Sequence, residues 1–101
     1  MVLDHRLEEH ILTVFLAGEV DHHSVRGVSL ELDRLIEQYQ PSVLQIDMSR
    51  VTFMDSSGIG LLMGRRRLMA ASGGRVRVTG TSLLIRKVLL MSGTDRYIEI
   101  K

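Results

Sequence analysis

Asp55-Ser56-Ser57-Gly58, followed by Ile59-Gly60, gathers hydrogen-bonding side chains and unshielded backbone in one short stretch. Asp and Ser cap helix N-termini because their side-chain oxygens accept the first orphan backbone N–H groups. Asp55 and Ser56 are therefore read as the cap, with Ser57 in the first helical turn. Gly58 and Gly60 each cost about 1 kcal/mol against Ala inside a helix. Two of them together mark a backbone that is exposed or closely approached. A serine so placed has three readings from the residues alone: a hydrolase nucleophile, part of a nucleotide-binding loop, or a plain cap.

The first two are tested by spacing. A nucleophile elbow needs glycines two before and two after the serine, and here those positions hold Asp55 and Ile59. His22 and His23 offer a base, but adjacent histidines beside a helix start read as exposed capping-region residues, so no catalytic set is assigned. Gly58, Gly60 and Gly64 give G-x-G-x-x-x-G, one residue too long for the dinucleotide fingerprint, and no Gly-Lys-Ser/Thr follows. Asp4, Asp21, Asp47 and Asp55 have no metal-ligand spacing. Without cysteine there is no disulfide framework or thiolate site. No metal and no cofactor are expected.

The elements that must position this turn follow from periodicity. Val2 to Glu8 and Ile11 to Ala17 read as two strands joined by a hairpin at Glu9-His10. The second is apolar on both faces (Leu12, Val14, Leu16 against Ile11, Phe15, Ala17), as expected of a central strand covered on two sides. Gly18 to Asp21 reads as a turn before a helix from about His22 to Tyr39. In that helix Val25, Val28, Leu32, Leu35, Ile36 and Tyr39 share an arc of about 100°, and Pro41 stops it. Val43 to Met48 is a third strand, and Val51 to Met54 leads into the Asp55 turn.

The helix over Ser56 to Ala71 carries two apolar stripes. Leu61, Gly64, Leu68 and Ala71 hold no charge and are expected on the sheet. Ile59, Leu62, Met63, Met69 and Ala70 surround Arg66 and are expected to stay partly exposed, because burying an unpaired arginine is costly. Gly60 and Gly64, one turn apart, read as allowing close helix-to-sheet packing. Ser72-Gly73-Gly74 ends this helix, and Arg75 to Gly80 is a fourth strand. Thr81 or Ser82 caps a third helix through Met91, with Leu84, Val88 and Met91 on one face. Tyr97 to Ile100 is a last strand.

The order ββαβαβαβ predicts one α/β domain over residues 1–101, a mixed, largely parallel sheet of four to five strands with three helices and right-handed crossovers. Partners of such sheets meet the C-terminal ends of the strands. The 55–60 turn, the helix start Asp21-His22-His23-Ser24 and the exposed stripe of the second helix are thus expected to form one partner face.

A chain of 101 residues with 45% hydrophobic content suffices for one core. No apolar run approaches the roughly 18 residues of a membrane span, and Asp4, His5 and Arg6 precede any signal-like segment, so a soluble, cytoplasmic protein is expected. Two Phe and two Tyr leave little for stacking on nucleic acid. Residues 1–50 carry 4 basic and 9 acidic side chains, a net of −5, and residues 51–101 carry 9 and 3, a net of +6. A fold that interleaves the halves disperses this asymmetry; one that separates them makes it a polar partner surface.

Leu16-Ala17-Gly18-Glu19-Val20-Asp21-His22-His23, then Phe53-Met54-Asp55-Ser56-Ser57-Gly58-Ile59-Gly60, then Met91-Ser92-Gly93 resemble the three signatures of the STAS-domain anti-sigma factor antagonists, the sporulation type most of all. The similarity runs from about Leu7 to Ile100. It implies that Ser57, the second serine of the block, is phosphorylated by the anti-sigma factor, in that family an ATP-dependent serine kinase. It further implies that the unphosphorylated protein binds this factor and releases the sigma factor, that a serine phosphatase restores it, and that the chain is no enzyme. Asp21 and Asp55 match acidic family positions. Together with the expected face, the resemblance gives a partner-binding set of Asp21, His22, His23, Ser24, Met54, Asp55, Ser56, Ser57, Gly58, Ile59, Leu62, Met63 and Arg66, with no nucleic acid or membrane partner. The chain departs from the family pattern in having Arg66 after Arg65, where an aromatic is common, and in ending at Lys101, where sporulation-type members continue into a further helix. STAS-like scaffolds, for instance of lipid-transport assemblies, use the same fold without a phosphorylation cycle, and they are the alternative reading; an enzyme is the third.

Overall fold

A computed structural model describes all of residues 1–101. Strands β1 (Val2–Glu8) and β2 (Ile11–Val20) form a hairpin, followed by α1 (Val25–Tyr39), β3 (Val43–Met54), α2 (Ser56–Ala71), β4 (Arg75–Thr79), α3 (Leu83–Met91), a 3-10 turn at Thr94–Arg96 and β5 (Glu99–Ile100). The element order is the expected one. The sheet runs β1-β2-β3-β4-β5, with β1 antiparallel to β2 and the other neighbours parallel.

Because β2 to β5 lie in chain order, each right-handed crossover steps the same way and lays its helix on the same face. Leu12, Val14 and Leu16 of β2, Leu44, Ile46 and Met48 of β3, and Val76 and Val78 of β4 alternate onto that face and join the helices in one buried cluster. This corrects the reading of β2 as covered on two sides. Its second face carries no helix but a polar row across the sheet, where Gln45 Nε2–H donates to the buried Thr13 Oγ1 at 3.3 Å and Arg77 Nε–H donates to Gln45 Oε1 at 2.6 Å. Phe15 is only half-buried there, under the Arg6 guanidinium at 5.8 Å. Its apolar character reflects β propensity on a pleated surface, not a second helical layer.

Two strands outrun their expected ends. β2 continues through Gly18, whose φ of +77° sits at a register shift, to pair Val20 with Met54. A bulge of this kind needs a residue free to adopt positive φ. β3 is continuous to Met54, while its pairing with β4 ends at Asp47–Thr79. The β2–β3 ribbon therefore projects past β4 by roughly 20 Å at a strand rise of about 3.3 Å per residue. The Asp21–Ser24 and Asp55–Ser57 turns stand at its tip.

The helices pack by different stripes from those expected, except α1, where Val28, Leu32, Leu35 and Ile36 are buried as read. α2 buries Gly58, Leu61, Leu62 and Met69, while Leu68 and Ala71 face solvent. The polar side chain on this inward arc is Arg65, not Arg66. It is only 14% exposed, and its Nε lies 3.1 Å from Asp33 Oδ1 of α1. The ion pair offsets part of the cost of turning Arg65 inward, although its Nη1 is buried without a hydrogen-bond partner, while Arg66, the residue that argued against the second stripe, stays half-exposed. Gly60 and Gly64 have nothing near the position of a Cβ, so they do not serve close packing. In α3 the buried residues are Ile85 and Leu89, and Leu84 and Met91 point outward.

Sequential strand order also keeps the two halves of the chain apart. β1, β2, α1 and β3 make one side of the sheet and α2, β4, α3 and β5 the other, so the charge asymmetry of the sequence is an asymmetry in space.

Candidate functional site

Asp55 is the N-cap of α2. Its backbone is extended (φ −107°, ψ −171°) and Oδ1 accepts the Ser57 N–H at 2.8 Å. Its own N–H donates to the Val20 carbonyl at 3.4 Å, which fixes the turn to the end of β2. Oδ2 accepts the His22 N–H at 3.3 Å, with His22 Nδ1 at 3.8 Å. One carboxylate therefore caps α2 and ties the β2–α1 turn to it.

Asp21 organises the second turn. Its Oδ1 accepts the N–H groups of His23 and Ser24, both at 3.0 Å. Ser24 Oγ accepts the Asp21 N–H at 3.1 Å and donates to the Glu19 carbonyl at 2.8 Å. The His22 and His23 rings lie 3.9 Å apart, centroid to centroid, on the exposed rim. α1 begins only at Val25, three residues later than read, because this hydrogen-bonded turn holds residues 21–24.

Desolvation alone would raise both carboxyl pKa values, but the donors outweigh it. The Ser24 and His23 N–H groups hold Asp21 below its usual value, and the Ser57 and His22 N–H groups do the same for Asp55. Asp21 and Asp55 also repel one another, as neighbours on one edge must.

Of the sequence-derived set, Asp21, His22, His23, Ser24, Asp55, Ser56 and Ser57 meet at this edge with at least part of their surface open. Ile59, Met63 and Arg66 continue down α2 as a half-exposed stripe. Leu62, Met54 and Gly58 do not reach the surface. Leu62 is fully buried in the core, which corrects its place on the open stripe. Met54 lies under Gly58, where a Cβ would come within 2.7 Å of the Met54 sulfur and 3.3 Å of the Val20 carbonyl. Gly58 is thus what lets α2 start so close to β2. Phe53, outside the set, is 49% exposed beside Glu19 at the same tip. The signal for it was the strand alternation that sends Met54 inward.

The site is a raised surface and not a pocket. None of the four hollows of the molecule is lined by Asp55 or Ser57, and no group of three His, Asp or Glu side chains is placed to hold a metal. Ser57 thus stands on a capped helix start at an open edge of the molecule.

Residues 3–101 match the family model of the STAS domain. The anti-sigma F factor antagonist of Paenibacillus polymyxa is 33% identical over 99% of this chain and 87% of its own length. The solved structure of the anti-sigma factor antagonist SpoIIAA in its unphosphorylated form is 30% identical, with a TM-score of 0.81 over 97% of this chain and 86% of that one. That of the Bacillus cell fate determinant SpoIIAA in the phosphorylated form is also 30% identical, with a TM-score of 0.72 over 100% and 89%.

Proposed function

Because the chain belongs to the STAS domain family, we propose that it is an anti-sigma factor antagonist, switched by phosphorylation of Ser57. Antagonists of this family are regulatory binding proteins, not enzymes. In this reading the unphosphorylated protein binds an anti-sigma factor that is also a serine kinase, through the Asp21–Ser24 and Asp55–Ser57 turns and the Ile59–Met63–Arg66 stripe. Binding releases the sigma factor, the kinase turns the antagonist off, and a serine phosphatase restores it.

The observation that carries this reading is the seat of Ser57, in the first turn of a helix already capped by Asp55 on an open edge. Since the Asp55 carboxylate caps the helix through the Ser57 N–H, modification of the serine hydroxyl does not remove the helix start. A phosphoryl group there gains from the helix dipole and free N–H groups. The similar SpoIIAA, solved in a phosphorylated as well as an unphosphorylated form, supports such a cycle. Incubation with an anti-sigma kinase and ATP, followed by mass spectrometry, tests it. One phosphate on Ser57 is expected, and none on the Ser57→Ala variant. A protein that binds the kinase but never gains phosphate would instead be a STAS scaffold.

A further inference from the structure

α3 carries large apolar side chains on two opposite arcs, with Arg86 and Lys87 its only charges. Its inward arc, Ile85 and Leu89 with Val88 beside them, enters the core. The opposite arc carries Leu83 and Leu84 in the first turn and Leu90 and Met91 in the last, and these are 88%, 71%, 43% and 78% exposed. At 3.6 residues per turn the four fall within about 120°, with Lys87 near the middle of that arc. A helix with large apolar side chains on opposite arcs normally buries both. Here one side faces solvent, and large apolar residues grouped this way mark an interaction site.

Charge selects the occupant. Between Ser56 and Thr94 the chain holds seven basic residues and no acidic one, and the sequential strand order keeps that stretch on one side of the molecule. Lys87 is exposed and takes part in no ion pair. A second copy docked through a two-fold axis would set Lys87 against Lys87 at the centre of the contact, where like charges are costly. An anionic lipid surface favours cations around an apolar patch, and here the cation is at its centre.

We infer that the outer arc of α3 docks an amphipathic helix of another protein, whose apolar stripe meets Leu83, Leu84, Leu90 and Met91 and whose central Asp or Glu pairs with Lys87. The mode is helix on helix, with anchors spaced i, i+3/i+4, i+7. Ser57 stands at the tip of the β2–β3 ribbon, whereas α3 connects β4 to β5, so the two lie on different elements.

Two stapled amphipathic peptides, identical except for Glu or Lys at the centre of a leucine stripe, serve as probes against the isotope-labelled whole chain. The Glu peptide should shift the amide resonances of Leu83, Leu84, Leu90 and Met91 and bind at least about ten-fold more tightly than the Lys peptide. Lys87→Glu should reverse the preference. Leu84→Ser combined with Met91→Ser should abolish binding of both while the thermal melt stays cooperative; if that double variant fails to fold, Lys87→Glu alone carries the test. Equal binding of the two peptides, shifts confined to other elements, stronger association with anionic vesicles than with peptide, or a dimer that the serine variant abolishes would each overturn the inference.

Discussion

Ser57 and Asp55 divide the work of one turn, and their substitutions separate its parts. Ser57→Ala removes a hydroxyl from a helix whose cap is the Asp55 carboxylate. Stability should change by less than about 1 kcal/mol while phosphate acceptance is lost and partner binding persists; urea denaturation and kinase labelling of the same sample check both. Gly58→Ala should be the harsher change. Its methyl must displace Met54 beneath α2, at about 1–3 kcal/mol for overpacking, read as a lower urea midpoint. Asp21 and Asp55 give the edge a dependence on pH. Both carboxyls titrate lower in the folded protein than in the unfolded chain, so the stability they contribute is fully present above the ordinary value of 3.8 and is lost as pH falls through their folded values. Asp55→Asn, which keeps a capping oxygen but does not titrate, should flatten part of the fall in melting temperature between about pH 5 and pH 2. At this scale much was legible. The cap, the first-turn position of Ser57 and the grouping with Asp21 follow from residue type and spacing. What spacing does not contain is the bond from the His22 N–H to Asp55, which exists only because Val20 and Met54 pair across two strands.

Among the elements, the β1–β2 hairpin holds a measurable reserve. Its two-residue turn places Glu9 at φ 48° and His10 at φ 68°, a pair of left-handed residues with neither Gly nor Asn present. Such a turn strongly favours Asn-Gly, and each ordinary residue held left-handed costs roughly 1–2 kcal/mol. Replacing Glu9-His10 by Asn-Gly should therefore raise stability by about 1 kcal/mol or more, visible as a higher melting temperature. The partner face should be unchanged, since the hairpin turn lies at the opposite end of β2 from Asp21. Element order was readable because each helix and strand has its own period and punctuation. Helix orientation was not, for α2 and α3, because both are apolar over more than one arc and periodicity alone does not say which arc meets the sheet. In α2 the decision rests on Asp33, which is adjacent to Arg65 in space but far from it in sequence.

For the molecule as a whole, the question is whether phosphorylation acts through the fold or through the surface. β2 and β3 hold the edge from below: Val20 and Met54 are buried and paired, and Asp55 is anchored to the Val20 carbonyl. A phosphate on Ser57 adds about −1.5 to −2 charges at the N-terminus of α2, where the helix dipole favours it. Asp21 and Asp55 repel it at separations well inside the roughly 10 Å Debye length, so salt does not remove the repulsion, but water at this open edge weakens it. The fold is thus expected to persist. A partner packed against the same edge has no such relief, because an unmatched charge buried in an interface costs several kcal/mol. A loss of about 3 to 4 kcal/mol corresponds to an affinity weakened on the order of a hundred- to a thousand-fold, enough to turn binding off. Ser57→Asp should reproduce only part of this, having less charge and bulk. Titration calorimetry against the anti-sigma factor, with circular dichroism melts of the same phosphorylated and unphosphorylated samples, separates the two routes. Weakened binding with a melting temperature moved by only a few degrees is the expected pair of results. Equal affinities, or a melt lowered by some ten degrees or more with loss of secondary structure, would place the switch in the fold and not at its surface.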